Sequence, residues 1–353
     1  MAERTRRATA RSTERRSAGT SAATSTEPAR GGRLRDVKIG TVPILWNNAD
    51  LPDLGPVVPA DVVLDEIARL GYEGTQTGVG FPAGAELVGA LARRNLRLAE
   101  VYAALSASTD GPLPEAEAAG RMALEALAAA DGDVLVAALA LSPDRITRAG
   151  RADAASTPRL TDAGWRRLGR LLDGLATQAE ARGRRLSFHP HAGTFVETPA
   201  EVDRLLAATD PDLVGLCLDV GHYTIGGGDP VAAIRTYAPR IDHVHLKDVA
   251  PEPLADLRRG EIGGFLEALR ARIFVELGAG VVDIQGILEA LAAADYRGWI
   301  MLEQDTTWRP PAESAAISRR VLAYAIRHLA REARTTPTGA PDPATAGVGR
   351  TPR

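Results

Sequence analysis

Histidine and carboxylate side chains recur at the ends of short apolar runs between residues 186 and 305. Five of the six histidines of the chain fall in this part of the sequence. Imidazole and carboxylate groups bind divalent metal ions and also transfer protons. The pattern therefore predicts a metal centre or an acid–base site, if the fold brings the runs together. The side chains concerned are His189, His191, Asp219, His222, His243, His245, Lys247, Asp248 and Glu303.

One residue from each of four runs forms a candidate ligand set, namely His189, Asp219, His245 and Glu303. A single histidine on a strand is more often a core residue, but four such groups at successive run ends favour a metal site. Two imidazoles and two carboxylates suit a divalent ion, with Mn or Co expected and Zn, Fe or Mg as alternatives. His243 shares a strand face with His245 and lies further from the strand end, so we expect it deeper in the fold.

Eight strand-like runs alternate with helical patterns, which is the pattern of a single (β/α)8 TIM barrel over residues 36–334. In such a barrel the carboxyl ends of all strands converge at one mouth, where the candidate ligands would meet. A doubly wound open sheet is the alternative, but it needs fewer strands and usually a phosphate loop after the first strand. The runs are Val37–Pro43, Gly74–Thr77, Leu96–Leu105, Val134–Leu141, Leu186–His189, Leu213–Asp219, Ile241–Leu246 and Trp299–Leu302.

The two ends of the chain differ from the body in composition. Residues 1–35 are rich in Arg, Ser and Thr and carry a net charge of +6, which predicts a disordered basic tail. A transit peptide has a similar bias and is the alternative. Residues 335–353 are rich in Pro, Thr and Gly and are also predicted to be disordered. The body between them carries a net charge of −10, which argues against a nucleic-acid groove.

Composition limits the function classes further. Cys217 is the only cysteine, so an intrachain disulfide is excluded, and its apolar neighbours predict a buried, inert thiol. No run approaches the ~20 apolar residues of a membrane helix, and the N-terminus lacks the apolar region of a secretory signal. We therefore expect a cytoplasmic protein without a membrane or nucleic-acid partner, which acts on a small molecule and can form a homo-oligomer.

Four loops were assigned from residue types. Trp46 and Asn47 follow the first strand, where Trp46 either caps the core or forms a wall against a sugar ring. Residues 142–161 read as a polar loop, and residues 250–283 as an insertion with a helix at Ile262–Arg272. The glycine run at 226–228 predicts a flexible turn rather than a phosphate cradle, because no GxGxxG is present and no Lys-Ser/Thr pair follows it.

Two motifs resemble a known superfamily. LDVGH at residues 218–222 and HVHLKD at residues 243–248 are similar to the xylose-isomerase-like superfamily of sugar isomerases and epimerases. Within it, IGTVPILWNNADLPDLG at residues 39–55 and GWIMLEQD at residues 298–305 resemble the inosose dehydratases of inositol catabolism. The likeness covers residues 37–328 and implies the same barrel fold.

By this resemblance, Asp219, His245 and Glu303 match metal ligands and His222 matches a histidine that contacts substrate. His189 stands where most of the superfamily has a glutamate ligand, and the dehydratases resemble this chain in having histidine there. The resemblance thus implies the same ligand set that the run ends predict.

The chain also departs from the superfamily pattern in three places. Gln76 replaces an acid that is usual at the end of the second strand, and the fourth strand lacks polar residues at its exit. Residues 276–280 replace a segment that ends in Pro-Gly-x-Gly. These departures bear on the identity of the substrate more than on the fold or the metal.

The resemblance implies dehydration of a keto-inositol. The metal would polarise the ketone, and Glu303 or a hydroxide supplied by the metal would remove the α-proton. His222 or His191 would protonate the departing hydroxyl. Lys247 would either add positive charge at the enolate or pair with Asp248. The expected contacts with the substrate ring are Trp46, Asn47 and Gln76.

Three other functions compete with a dehydratase. A sugar or keto-inositol isomerase or epimerase would use the same metal-stabilised enolate and return the proton to a neighbouring carbon. A DNA-repair nuclease shares the barrel, but it needs a basic groove that the acidic body does not offer. A binding barrel without catalytic activity would be compatible with the departures at the second and fourth strands.

Overall fold

Eight parallel strands form a closed barrel in the computed structural model, which describes Leu34 and residues 36–335. Each strand pairs with its neighbour in sequence, and the last strand pairs with the first. The predicted (β/α)8 barrel is confirmed, and the open sheet is excluded. The strands are β1 Lys38–Thr41, β2 Gly74–Gln76, β3 Arg97–Leu105, β4 Val134–Leu139, β5 Arg185–Phe188, β6 Val214–Asp219, β7 Ile241–Leu246 and β8 Trp299–Leu302.

Twelve helices connect or extend these strands in the described part of the chain. Thr198 and Glu201 form the capping box that Thr-Pro-Ala-Glu predicts, and Thr161 caps the longer helix before it. The helices are α1 Ala60–Arg69, α2 Gly84–Ala92, α3 Ala116–Ala129, α4 Pro143–Ile146, α5 Asp162–Glu180, α6 Pro199–Ala208, α7 Val220–Ile225, α8 Pro230–Tyr237, α9 Pro251–Arg259, α10 Phe265–Arg270, α11 Ile284–Ala293 and α12 Pro311–Thr335.

The main core lies between the strands and the surrounding helices. Leu135 on β4, Leu172 on α5 and Leu124 on α3 are at most 1% exposed and belong to one continuous hydrophobic cluster. Burying apolar side chains of this size stabilises the fold by about 1.5–3 kcal/mol each. The helices therefore hold the strands in a fixed register, and the strand ends are rigid supports for side chains.

Strand register places the candidate ligands beside each other. Asp219 on β6 is paired with His245 on β7, and His245 is paired with Met301 on β8. Glu303 lies two residues after Met301, and His189 directly follows β5, which is the neighbour of β6. The carboxyl ends of four consecutive strands thus carry the four candidates to one mouth of the barrel.

Several predicted loops contain helices. Helix α4 begins the segment 142–161, and α7 follows β6 directly at Val220–Ile225. The segment 250–283 contains α9 and α10, so the helix predicted at Ile262–Arg272 is shorter and a second one precedes it. None of the helices in the described residues has the length and apolarity that a membrane crossing requires.

The predicted tails, residues 1–35 and 335–353, lie outside the described residues with two exceptions. Leu34 is 6% exposed and belongs to the main hydrophobic cluster. Thr335 is the last residue of α12. Leu34, two residues before the predicted start of the barrel at residue 36, therefore packs against apolar side chains of the body.

Candidate metal centre and active site

Four donor side chains converge at the carboxyl-terminal mouth of the barrel. Ligand atoms of His189, Asp219, His245 and Glu303 all lie within 4.8 Å of one another. Nδ1 of His245 is 2.7 Å from Oε2 of Glu303 and 3.8 Å from Oδ2 of Asp219. Nε2 of His189 is 3.6 Å from the same oxygen of Asp219. The set predicted from the sequence is therefore brought together as one cluster.

The hydrogen bonding of this cluster fits a bound cation. Oδ2 of Asp219, Nδ1 of His245 and Oε2 of Glu303 are buried and have no hydrogen-bond partner among the described residues. Buried lone pairs without a donor are costly, and a divalent ion at their meeting point would satisfy all of them. Two imidazoles and two carboxylates are also a donor set suited to such an ion. The residues present thus fit a divalent metal.

Asp219 shows how one carboxylate serves both the fold and the site. Its Oδ1 accepts a 2.7 Å hydrogen bond from the amide of His222 and caps α7. Its Oδ2 stays directed at the other donors. Burial acts to raise the pKa of Asp219, but Lys247 together with the neighbouring histidines outweighs it and holds the pKa well below the usual value. Asp219 is therefore ionised.

Lys247 is fully buried among three carboxylates. Its Nζ lies 2.6 Å from Oδ1 of Asp305, 3.3 Å from Oδ2 of Asp219 and 3.4 Å from Oε1 of Glu303. Burial alone would lower the pKa of the amine, but Asp219, Asp305 and Glu303 raise it above its ordinary value. Lys247 is therefore a permanent ammonium beside the donor set.

The alternative pairing of Lys247 with Asp248 is wrong. Asp248 accepts hydrogen bonds from the amides of Gly278, Gly280 and Val282, at 2.8–3.0 Å, and fixes the loop 276–282. Neighbouring strand residues point to opposite faces, so Lys247 enters the site while Asp248 faces this loop.

Two glutamates that could have replaced a predicted ligand point elsewhere. Glu276 contacts Ser314 at 2.7 Å and Arg309 at 3.0 Å. Glu197 accepts hydrogen bonds from the amides of Gly150 and Gly193. Burial raises the pKa of Glu197 to about 7. Glu197 thus joins the loop after β4 to the loop after β5 and does not point into the donor set, whereas His189 does.

The two candidate acids are stacked, with ring centroids 3.7 Å apart. His191 lines the cavity above the donor set, whereas His222 lies on α7 behind it, 1% exposed, with Nε2 3.0 Å from Nζ of Lys247. Burial lowers the pKa of His191 to about 3 and that of His222 well below its usual value. Both rings are therefore neutral at physiological pH, and His191 is the one that faces the cavity.

A cavity of about 440 Å³ opens over the donor set and has the size of a small-molecule site. Asn47 and Gln76 line it, as predicted, although the amide group of Asn47 bonds to the backbone of Val58 and Val79. No lysine or arginine is among its lining residues in the described chain. A cavity without cationic walls favours an uncharged substrate over a phosphate ester.

Trp46 does not line this cavity, so the expectation that it forms a wall against the substrate ring is not met. Its indole nitrogen donates a 2.6 Å hydrogen bond to Glu66, and its ring is 7% exposed within the hydrophobic core. The other interpretation, a core cap, describes its position. Trp46 instead borders a neighbouring cavity of about 450 Å³.

Three further polar residues line the cavity and were not assigned from the sequence. Burial raises the pKa of Asp50, and its carboxylate has no hydrogen bond or ion pair within the described residues. Burial also raises the pKa of the Tyr102 hydroxyl, and it raises that of Asp305 to about 7. The ending Glu-Gln-Asp of β8 could have drawn attention to Asp305. Asp50 offered no such signal, because it lies nine residues beyond its strand.

Comparisons with known proteins agree with the barrel fold. The family described as "Xylose isomerase-like TIM barrel" matches residues 64–325. An inosose dehydratase of Lacticaseibacillus casei is 34% identical over 292 residues, which cover 81% of this chain and 96% of that protein. The rhizopine catabolism protein MocC of Rhizobium meliloti is 37% identical over 306 residues, covering 82% and 89%. An L-ribulose 3-epimerase structure has a TM-score of 0.64 at 18% identity, covering 86% of this chain and all of that one, and shares the fold.

Proposed function

Because this chain belongs to the xylose isomerase-like TIM barrel family, we propose that it is a metal-dependent dehydratase of a keto-inositol. The observation that carries the proposal is the set of four donors within 4.8 Å of one another, below a cavity of about 440 Å³ whose lining in the described chain holds no lysine or arginine. Relatives named inosose dehydratase are 31–34% identical over four fifths of the chain and support the choice of substrate. An enzyme of the dehydratase or isomerase kind is the coarser statement that the family supports.

The donor set favours Mn or Co as the resident ion, with Zn, Fe or Mg as alternatives. His189, Asp219, His245 and Glu303 would hold it. Such an ion supplies Lewis-acid polarisation of the substrate ketone, which makes the neighbouring C–H acidic. The ammonium of Lys247, which contacts Asp219 and Glu303 without lining the cavity, would add a second positive charge to the field at the oxygen that becomes negative.

Glu303 is the candidate base for the α-proton. Burial acts to raise the pKa of this carboxyl, but the charges of Lys247 and His245 hold it below its usual value. Glu303 is therefore ionised at neutral pH and lines the cavity, so its oxygen can reach a proton on the substrate ring.

His191 is the candidate proton donor for the departing hydroxyl. Its Nδ1 lies 2.8 Å from the carbonyl oxygen of Ala192 and donates to it, which leaves a lone pair on Nε2. Nε2 must take up a proton before it can donate one to the departing hydroxyl. The reaction as a whole balances, because one proton leaves the α-carbon and one proton leaves with the hydroxyl as water. Because the pKa of His191 is low, its protonated form is a strong acid. A strong acid is needed here, since a hydroxyl group is a poor leaving group until it is protonated.

Incubation of the Mn- or Co-loaded protein with 2-keto-myo-inositol tests this function. We expect a product that has lost one water and absorbs as a conjugated dione. A product of unchanged mass would instead indicate the isomerase or epimerase alternative. Asp219→Asn is the matched control, because asparagine still caps a helix as well as aspartate does, yet it removes the charged metal ligand.

A further inference from the structure

Glu100 is a fully buried carboxylate below the donor set, and the proposed chemistry does not use it. It lies on β3 and has 0% exposure. Its Oε2 contacts Nε2 of His243 and lies 2.9 Å from Nε2 of His245. Strands β3 and β7 are not neighbours in the barrel, so this side chain reaches across the interior to both histidines.

The contact determines which nitrogen of His245 is free to bind a metal. A carboxylate only accepts hydrogen bonds, so Nε2 of His245 carries the proton that is donated to Glu100. In the neutral form of the ring, which metal binding requires, Nδ1 holds the lone pair, and Nδ1 is the atom that faces Glu303 and Asp219. The carboxylate below the ring thus orients the ring for the donor set above it.

No other role accounts for Glu100 equally well. It does not line the cavity, so it cannot touch a substrate there. A charged residue in a barrel interior is costly unless it is paired, and its partners are the two histidines of one strand.

We propose that Glu100 is a positioning residue that fixes the ring and tautomer of His245 and thereby sets the affinity of the site for its metal. The inference rests on the metal site of the proposed function and not on the identity of the substrate. Under this proposal, residues in the barrel interior below the mouth support the metal centre. His243 is the second hydrogen-bond donor that holds the carboxylate of Glu100 in place.

The affinity for Co²⁺ tests the proposal without any substrate. The metal-free protein is titrated with Co²⁺ against a chromophoric chelator, and the visible spectrum of the bound ion is recorded. Loss of an outer-shell partner of a ligand histidine weakens metal binding by about 10–100-fold. We expect Glu100→Gln to raise the dissociation constant by this factor and to change the Co²⁺ spectrum, because the amide keeps the size of the side chain but not its charge.

Glu201→Gln is the matched control. Glu201 is also a buried, paired glutamate, with Oε1 2.8 Å from Arg145, but it lies outside the donor set. We expect this variant to lose thermal stability and to keep the Co²⁺ affinity and spectrum of the wild type. A general loss of packing would weaken metal binding in both variants, and that result would overturn the positioning role.

Glu100→Asp covers the case in which Glu100→Gln does not fold. The shorter side chain keeps the charge but withdraws it from His245, so we expect weaker Co²⁺ binding here too. Folded Glu100 variants that bind Co²⁺ within threefold of the wild type would refute the proposal. Two Co²⁺ per wild-type chain would also refute it, since Glu100, His243 and His245 would then be ligands themselves. If the wild type does not bind Co²⁺, the metal site itself is contradicted. If the wild type binds Co²⁺ but does not convert inosose, only the proposed identity of the substrate is contradicted.

Discussion

Lys247→Met removes an ammonium that is buried among Asp219, Glu303 and Asp305, with the shortest N–O distance 2.6 Å. Removal of one partner of a buried ion pair leaves uncompensated charge and costs about 3–5 kcal/mol. In a domain of this size, 1 kcal/mol corresponds to about 2–4 °C in Tm. We therefore expect the Tm of the metal-free protein to fall by ~6–20 °C.

The same variant should keep or increase its affinity for a divalent ion. The ammonium lies 3.3 Å from Oδ2 of Asp219, where it competes with a cation for the oxygen. Without Lys247 the site is more negative, so Co²⁺ should bind at least as tightly and restore part of the lost Tm. Turnover should nevertheless fall by about 10²–10³-fold, because the positive charge near the developing enolate is lost.

Thermal unfolding followed by circular dichroism, first with a chelator and then with Co²⁺, measures both effects. Lys38→Met is the control, because Lys38 pairs with Asp133 at 2.9 Å but its side chain is 39% exposed. An exposed pair contributes about 0–1 kcal/mol, so the control should change Tm by only a few degrees. Equal losses of Tm in the two variants, or weaker Co²⁺ binding by Lys247→Met, would refute the reasoning.

Three further variants test the cavity and its surroundings. His191→Gln should keep its metal while kcat falls by about 10²–10⁴-fold. His222→Gln should show a smaller fall in kcat, because His222 lies behind the cavity wall. A larger fall in kcat for His222→Gln in steady-state kinetics would identify His222 as the acid. Asp50→Asn should raise KM by about tenfold with a smaller effect on kcat, since a charged hydrogen bond to a ring hydroxyl would be lost. An unchanged KM would show that Asp50 does not contact the substrate. Burial raises the pKa of Glu197 to about 7, so the native state binds more protons than the unfolded state and stability should fall as the pH rises from about 4.5 to 7. Urea unfolding of Glu197→Gln across that range should show a smaller fall, and an identical slope would contradict the assignment.

Much of the barrel and its donor set could be predicted from the sequence, because both depend on local patterns. Apolar runs of strand length alternate with helical periodicity, and that alternation indicates eight parallel units. Residues at the ends of parallel strands meet at one mouth whatever the details of packing. His189, Asp219, His245 and Glu303 could therefore be assigned before any contact was known, and the structure brings them within 4.8 Å.

The tertiary structure decided the partners of the buried charges. Lys247 could pair with its neighbour Asp248 or with the site, and only the register of β7 shows that it turns towards Asp219 and Asp305. Glu100 is the only acidic residue of β3, and its role depends on closure of the barrel, which places β7 opposite β3. Contacts across a closed barrel join residues more than 140 positions apart, as Glu100 and His245 are, and no local pattern encodes them.

Loop residues depended on the tertiary structure for the same reason. The loop after β1 turns Trp46 into the core against Glu66, a choice that the sequence left open, and brings Asp50 to the cavity, for which there was no signal in the sequence. Helix α7, capped by Asp219, withdraws His222 behind His191. Strand ends are held by the regular hydrogen bonding of the barrel, so their direction follows from the sequence. A loop side chain takes its direction from the packing of its neighbours, which exists only in the folded protein.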